Sequence, residues 1–440
     1  MRSAAARARD VARATPADRN RYVDLLRAVA IILVVVGHWL VTALFARGEQ
    51  ITGESVLALL PATRWVTWLF QVMPVFFLVG GFANAVSWDK HQRRGGGWAS
   101  WLYRRTARLL APTTVFVATV TTGRVAARLA GVEKELVADA VWLVGVSLWF
   151  LAVYVAVVAL APLLLAAHRR WGVVWLAGMA VVATGLDAVR ITTGTTAVAA
   201  PNFLLVWATV HQLGFAWYDS GLLRSRWTPP TLAVVGGATL LALTVVGPYP
   251  VSMVAVPGAP VQNTSPPSVA LLALAVAQTG VILCLREPMH RWLRRPRVWM
   301  AVVWVNAVVL TIFLWHFVPV VVAGPALYGT GLMPQPLIGS PAWFVLRLVW
   351  VLVLAVLLVP LVAVFARFER TPERTAAARE GGGGRLATLL GAAGVPATCL
   401  GMLMVTEAGA GPAGLPLDGL LLYGAGVALL ELSGRAALHT

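Results

Sequence analysis

Three ionisable residues sit in one apolar run, YVDLLRAVAIILVVVGHWL: Asp24, Arg27 and His38. Such groups are costly inside a stretch that otherwise suits lipid, and they mark candidate chemistry. Arg27 and His38 stand eleven positions apart. In an α-helix they therefore share one face to within about 20° and lie about 16 Å apart along the axis. Asp24 comes three residues before Arg27 and can pair with it. A neutral imidazole is the natural proton acceptor near neutral pH, and a guanidinium can steady a developing oxyanion. The same residues also suit a snorkelling arginine and a histidine bonded to a neighbouring helix.

A second cluster lies in WLYRRTARLLAP, where Arg104 and Arg108 are four apart and Arg105 and Arg108 three apart. Either spacing puts two guanidinium forks on one helix face, an arrangement that suits phosphate oxygens. Lipid-headgroup anchoring is the alternative for such a cluster. His211, in NFLLVWATVHQLGFAWYD, and His316, in TIFLWHFVPV, are further histidines inside apolar runs. Each fits a packing role as well as a chemical one. His91, His168 and His290 fall between the apolar runs and are expected to be solvated. No HExxH, paired acidic site or Walker-type loop is present, so neither metal chemistry nor ATP hydrolysis is expected.

The elements that must hold these residues follow from composition. Of 440 residues, 59% are hydrophobic and 12% charged, and mean hydropathy is +0.78. A soluble domain carries about 25% charged residues, so the expected class is an all-α polytopic integral membrane protein. Ten spans are legible, near 22–45, 65–88, 106–130, 138–166, 171–191, 199–219, 231–250, 268–285, 298–323 and 340–366. The first is too long for a signal-peptide core and reads as a retained span. Pro74, Gly80 and Gly81 suggest a kink and a close backbone approach in the second. Two weaker Ala/Gly-rich stretches, 386–405 and 415–432, read as a C-terminal helical hairpin or a loosely inserted tail.

The net charge of +17 would suggest nucleic-acid binding in a soluble chain. With a cytoplasmic N-terminus, 28 of the 35 lysines and arginines fall inside; only Arg47, Arg64, Arg124, Arg128, Lys134, Arg190 and Arg347 fall outside. That asymmetry is the positive-inside signature, and no nucleic-acid partner is expected. Cys284 and Cys399 are the only cysteines and form no metal or redox motif.

Taken in order, the motifs resemble the acyltransferase-3 family of bacterial membrane O-acyltransferases. The resemblance runs from Asp24-x-x-Arg27-x10-His38 through Phe76-Phe77-Leu78-Val79-Gly80-Gly81-Phe82 to Arg105-x-x-Arg108 with Pro112. Leu148-Trp149-Phe150-Leu151 is similar to the family's LWFL segment, Leu314-Trp315-His316 to its YLxH segment, and Phe368-Glu369-Arg370-Thr371-Pro372 to its closing E-x-P. Val79-Gly80-Gly81 stands where relatives usually carry a serine before glycine.

The resemblance implies a ten-helix core that moves an acyl group, acetyl or another short one, from cytoplasmic acyl-CoA to a hydroxyl of a glycan, glycolipid or secondary metabolite. It implies that His38 is the catalytic imidazole and that Arg27, with its partner Asp24, holds the acyl donor or orients the site. Arg104, Arg105 and Arg108 would grip the coenzyme A phosphates, and Trp149, His211 and His316 would line the substrate path. The expected division is a basic tail at 1–21, the membrane domain at 22–372, and a flexible linker with an apolar tail at 373–440. Many relatives fuse a soluble SGNH esterase-like domain here, so this chain is expected to act directly or with a separate extracytoplasmic transferase. The rival class is a transporter or exporter of a small acidic or acylated molecule, which buried His and Arg and Pro/Gly-broken helices would also suit.

Overall fold

The computed structural model describes residues 19–47, 50–369, 384–409 and 415–438. The basic tail before Arg19, the Arg370–Pro372 end of the E-x-P segment and the linker glycines up to residue 383 lie outside the described residues. The protein is 80% helical with almost no strand. In chain order the helices are α1 (Arg21–Val41), α2 (Met73–Gln92), α3 (Trp98–Leu129), α4 (Lys134–Gly145), α5 (Ser147–Trp171), α6 (Val173–Thr193), α7 (Asn202–Tyr218) and α8 (Thr228–Leu241). There follow α9 (Val269–Cys284), α10 (Arg286–Trp292), α11 (Pro296–Asn306), α12 (Val309–Trp315), α13 (Val318–Gly324), α14 (Pro341–Phe365), α15 (Arg385–Gly409) and α16 (Leu417–Leu438). A two-stranded hairpin, β1 (Thr42–Arg47) and β2 (Gln50–Ser55), follows α1.

Ten described helices are long and apolar enough to cross a membrane, as an all-α polytopic membrane protein requires. Their membership differs from the sequence expectation. Both C-terminal helices qualify, whereas the expected spans at 199–219 and 268–285 are the 17-residue α7 and the 16-residue α9. Helix α9 continues into α10 across a 51° bend. The expected continuous span at 298–323 is instead broken into α11, α12 and α13. One break follows from Pro319, which has no N–H to offer the Trp315 carbonyl one turn back. The expected kink in the second span takes the form of a break at Gln71 and Val72, and Pro74 stands in the first turn of α2, where its missing donor costs nothing.

The chain forms two compact units. The first draws on Met1–Ala43, Gly53–Val86 and Leu163–Val309, and the second on Leu44–Thr52, Ser87–Pro162 and Leu310–Thr440.

In the first unit, helices meet at glycine. Lipid offers no hydrophobic gain for helix association, so close backbone approach and polar contacts must supply it. A methyl group at Gly81 of α2 would overlap the carbonyl oxygen of His211 in α7, and one at Gly214 would overlap that of Leu78. One turn earlier, Phe77 stacks on Trp207 with ring centroids 4.8 Å apart. Helices α8 and α9 approach in the same way at Gly236 and Gly280. The segment between those two helices is tied down by polar groups. Asp187 pairs with Arg190 at 2.6 Å and accepts from the Tyr249 hydroxyl and the Val269 amide, each at 2.8 Å. Burial and the carboxylate neighbour push the Tyr249 hydroxyl well above the ordinary tyrosine range, so it stays a donor.

In the second unit, the half-buried Glu369 carboxylate caps α12. It accepts from the amides of Leu310 and Thr311, both at 2.9 Å, and from the Thr311 hydroxyl at 2.7 Å. A helix N-terminus leaves such donors unpaired and carries partial positive charge, so one carboxylate satisfies both needs. The glutamate of the E-x-P segment is thus a helix cap that holds the broken segment in place. Helices α15 and α16 form a packed hairpin against α3 and α4. Their Ala/Gly content weakens the hydropathy signal and permits the close packing. Gly401 approaches the Tyr423 backbone and Gly426 the Thr398 backbone.

Substitutions at Gly81 and Glu369, with a control at Gly178, test these contacts, read by thermal unfolding in detergent. Gly81→Ala should cost about 1–3 kcal/mol by overpacking against a backbone oxygen that cannot move aside. Gly178→Ala in α6, where nothing lies within 4 Å, should leave stability unchanged or slightly raised. Glu369→Ala should cost about 1–3 kcal/mol by orphaning the α12 donors, and Glu369→Gln, which keeps one acceptor oxygen, should cost less.

Candidate functional site

Helix α1 begins with Asn20, whose side chain accepts from the amides of Tyr22 and Val23 at 3.1 and 3.3 Å. An acid in the first turn suits the helix dipole, and Asp24 stands there. Its buried carboxylate accepts from Arg19 Nε at 2.6 Å and from Arg27 Nη1 at 3.4 Å. Its backbone oxygen accepts from Asn306 Nδ2 of α11 at 2.9 Å. The Arg27 side chain remains 32% exposed, so Asp24 fixes it on one side while the other can meet an anion. Asp24, Arg27, Ile31, Val34 and His38 alternate at spacings of three and four residues, which makes them one stripe along α1. Arg27 and His38 occupy opposite ends of that stripe and do not touch directly.

His38 lies in the last turn of α1 and is half-buried. Beside it, Gly37 admits the Phe70 ring so closely that a methyl there would stand 2.9 Å from Phe70 Cδ1. Phe70 ends a short helix, Thr67–Phe70, that polar contacts hold firmly. Thr67 Oγ1 accepts from the Met253 amide at 2.8 Å, Gln71 Nε2 donates to the Met253 carbonyl at 2.7 Å, and Gln278 Nε2 donates to the carbonyls of Trp68 and Gln71. The anchors of this segment, which packs on Gly37, come from distant parts of the chain, and no local spacing announces them. Arg19 was missed for a related reason. It precedes the helix, so the three-and-four-residue spacing that pairs Asp24 with Arg27 does not include it.

In the second unit, α3 carries the arginine cluster, with Arg104 and Arg105 half-buried and Arg108 exposed. The Arg105 guanidinium lies 6.0 Å from the centre of the Trp101 ring one turn earlier. Trp101 is itself fixed by its Nε1 donating to Ser87 Oγ at 3.1 Å and by edge contact with Trp88. His91, expected to be solvated, is buried instead. Its Nε2 lies 2.9 Å from Ser100 Oγ and 3.1 Å from the Gly97 carbonyl oxygen, clipping the end of α2 to the start of α3.

The remaining candidates are more enclosed. His211 is fully buried in the first unit, with Nε2 3.0 Å from Asn84 Nδ2 across the glycine crossing of α7 and α2. His316 is fully buried in the second unit, in the break between α12 and α13, with Nδ1 2.6 Å from the Phe313 carbonyl oxygen. Trp149 is half-buried near the start of α5. Its neighbour Phe150 meets Phe313 edge-on at 5.3 Å, so the LWFL segment and the segment before His316 are in contact. Among the described residues no group of three or more His, Cys, Asp or Glu is arranged to hold a metal ion.

In the first unit, Arg27 set against Asp24 with His38 about three turns along the same stripe suits acyl-transfer chemistry; in the second, the basic helix α3 by itself suits phosphate groups. Residues 20–360 match the family model Acyl_transf_3, described as an acyltransferase domain. No curated protein and no solved structure matches the chain. The matched region takes in α1, the glycine crossing, the arginine helix and both aromatic segments, and stops short of Glu369 and the C-terminal hairpin. With 341 of its 440 residues inside that match, this membrane protein belongs to the acyltransferase-3 family of acyl-transferring enzymes.

Proposed function

We propose that this protein is an O-acyltransferase of the bacterial plasma membrane, with its N-terminus in the cytoplasm. It takes a short acyl group, typically acetyl, from cytoplasmic acyl-CoA and passes it to a hydroxyl of a glycan, glycolipid or secondary metabolite. The observation that carries this reading is the stripe on α1, with Asp24-braced Arg27 at one end and His38 at the other. The 28-to-7 distribution of basic residues supports the orientation.

In the proposed reaction, Arg105 and Arg108, with Arg104 beside them, hold the coenzyme A phosphates. Neutral His38 accepts the proton of the acceptor hydroxyl as its oxygen attacks the thioester carbonyl. Arg27, about 16 Å along α1 from His38, holds the acyl donor away from the reacting carbonyl. Collapse breaks the carbon–sulfur bond and forms the ester, and the imidazolium returns its proton to the departing coenzyme A thiolate. A route in which His38 carries the acyl group covalently balances equally well. Trp149, His211 and His316 are assigned to the substrate path, and a separate extracytoplasmic transferase could pass the acyl group onward.

His38→Ala should lower coenzyme A thiol release from acetyl-CoA, measured with a membrane extract as acceptor source, by about 10²–10⁴-fold while leaving thermal unfolding unchanged. Wild-type release by the mutant would remove His38 from the reaction. Arg27→Lys keeps the charge but loses the planar fork, and should lower turnover less than Arg27→Ala.

A further inference from the structure

The hairpin α15–α16 lies beyond the family match, yet its contacts are concentrated on the helix that carries the arginines. The Tyr103 ring lies directly over Gly434, where any side chain would collide with it, and its hydroxyl donates to Glu431 Oε2 at 3.3 Å. Gly391 receives the Trp98 ring, and a methyl there would lie 3.0 Å from that ring. Ala99 packs with Ala387 and Ala437, all three buried. Further along α3, Thr114 Oγ1 and the Tyr423 hydroxyl lie 2.8 Å apart. The hairpin is in turn joined to α4 and α5. Thr406 donates to the Gly145 carbonyl at 3.3 Å, and Cys399 to the Ala152 carbonyl at 3.2 Å.

From Ala99 onward these contacts use one side of α3, whereas Trp98, at the first residue of the helix, falls on the arginine side. At about 100° per residue, Ala99, Tyr103 and Thr114 fall within about 60° of one another. Arg104, Arg105 and Arg108, with Trp101, occupy the roughly opposite sector on the same count. The hairpin therefore grips the back of the arginine helix at the level of the cluster and keeps clear of its working face. We infer that α15–α16 is a positioning brace: it fixes the rotation and depth of α3 so that Arg105 and Arg108 present their forks to the phosphates of the acyl donor. The steric fit between positions 103 and 434 is the principal contact of the brace. This rests on the reading that those arginines hold the donor.

The test is binding of radiolabelled acetyl-CoA to the purified full chain in detergent, which needs no acceptor. Arg105→Ala/Arg108→Ala tests the underlying reading and should weaken binding about tenfold or more. Gly434→Val, which displaces Tyr103, should weaken it by at least about fivefold, since small displacements of a positioned group are costly. Adding Tyr103→Ala to Gly434→Val empties the space the new side chain needs and should restore most of that loss. Gly424→Val, at a position on α16 with nothing within 4 Å, should bind as wild type. If Gly434→Val compromises folding, Gly434→Ala makes the same displacement with a single methyl and should show the same rescue. Wild-type affinity in a folded Gly434 variant, or loss without rescue, would overturn the brace while leaving the donor site intact. Unchanged binding by the double arginine variant would overturn the donor reading and the brace together.

Discussion

Apolar side chains cannot hold helices together inside lipid, because the surrounding chains are as apolar as they are. This protein meets that constraint with backbones that touch at glycine and polar groups that satisfy one another. Gly81 and Gly214 bring α2 and α7 into contact, and Asn84 and His211 bond across the same crossing. Asp24 takes Arg19 and Arg27, Asp187 takes Arg190 and Tyr249, and Glu369 takes the first-turn amides of α12. Apolar side chains not needed for packing face outward, as along α14, where Phe344, Leu348, Leu352 and Val356 are exposed.

The same constraint sorts the buried polar residues by role. His211 is enclosed and Glu369 half-buried, and both are bonded in ways that hold helices. Arg27 and His38 are left partly open, as the proposed reaction requires of them. Arg27 is steadied by Asp24, and next to His38 in the chain Gly37 receives Phe70, whose short helix carries the polar anchors. Such preorganisation matters because a catalytic base or a binding group contributes fully only when held in its working position.

The fold class was readable from composition, and the α1 stripe from spacing alone, because helical periodicity is a local property. What depended on distant residues was not readable. The polar anchoring beside His38 joins Thr67 and Gln71 to Met253 and Gln278. The interruption of the 298–323 run is set locally by Pro319 and at long range by Glu369, whose part no local pattern reveals. The burial of His91 depends on how the Gly-rich turn folds back onto its ring. The C-terminal hairpin read weakly for a different reason. Hydropathy rewards large apolar side chains, whereas this hairpin packs through small ones, so the residues that make it fit are those that dilute its signal.

Membership of an acyltransferase family and the His38 stripe together make one central claim: acyl groups leave a thioester at this protein. The most direct measurement reconstitutes the purified chain in liposomes with radiolabelled acetyl-CoA and bacterial membrane glycolipids, and follows label into alkali-labile ester alongside free coenzyme A thiol. The account requires the two to rise together, mole for mole, in the wild type and neither to rise with His38→Ala. Movement of a labelled small molecule across the bilayer with no thioester consumed would contradict it and identify a transporter built on the same helices.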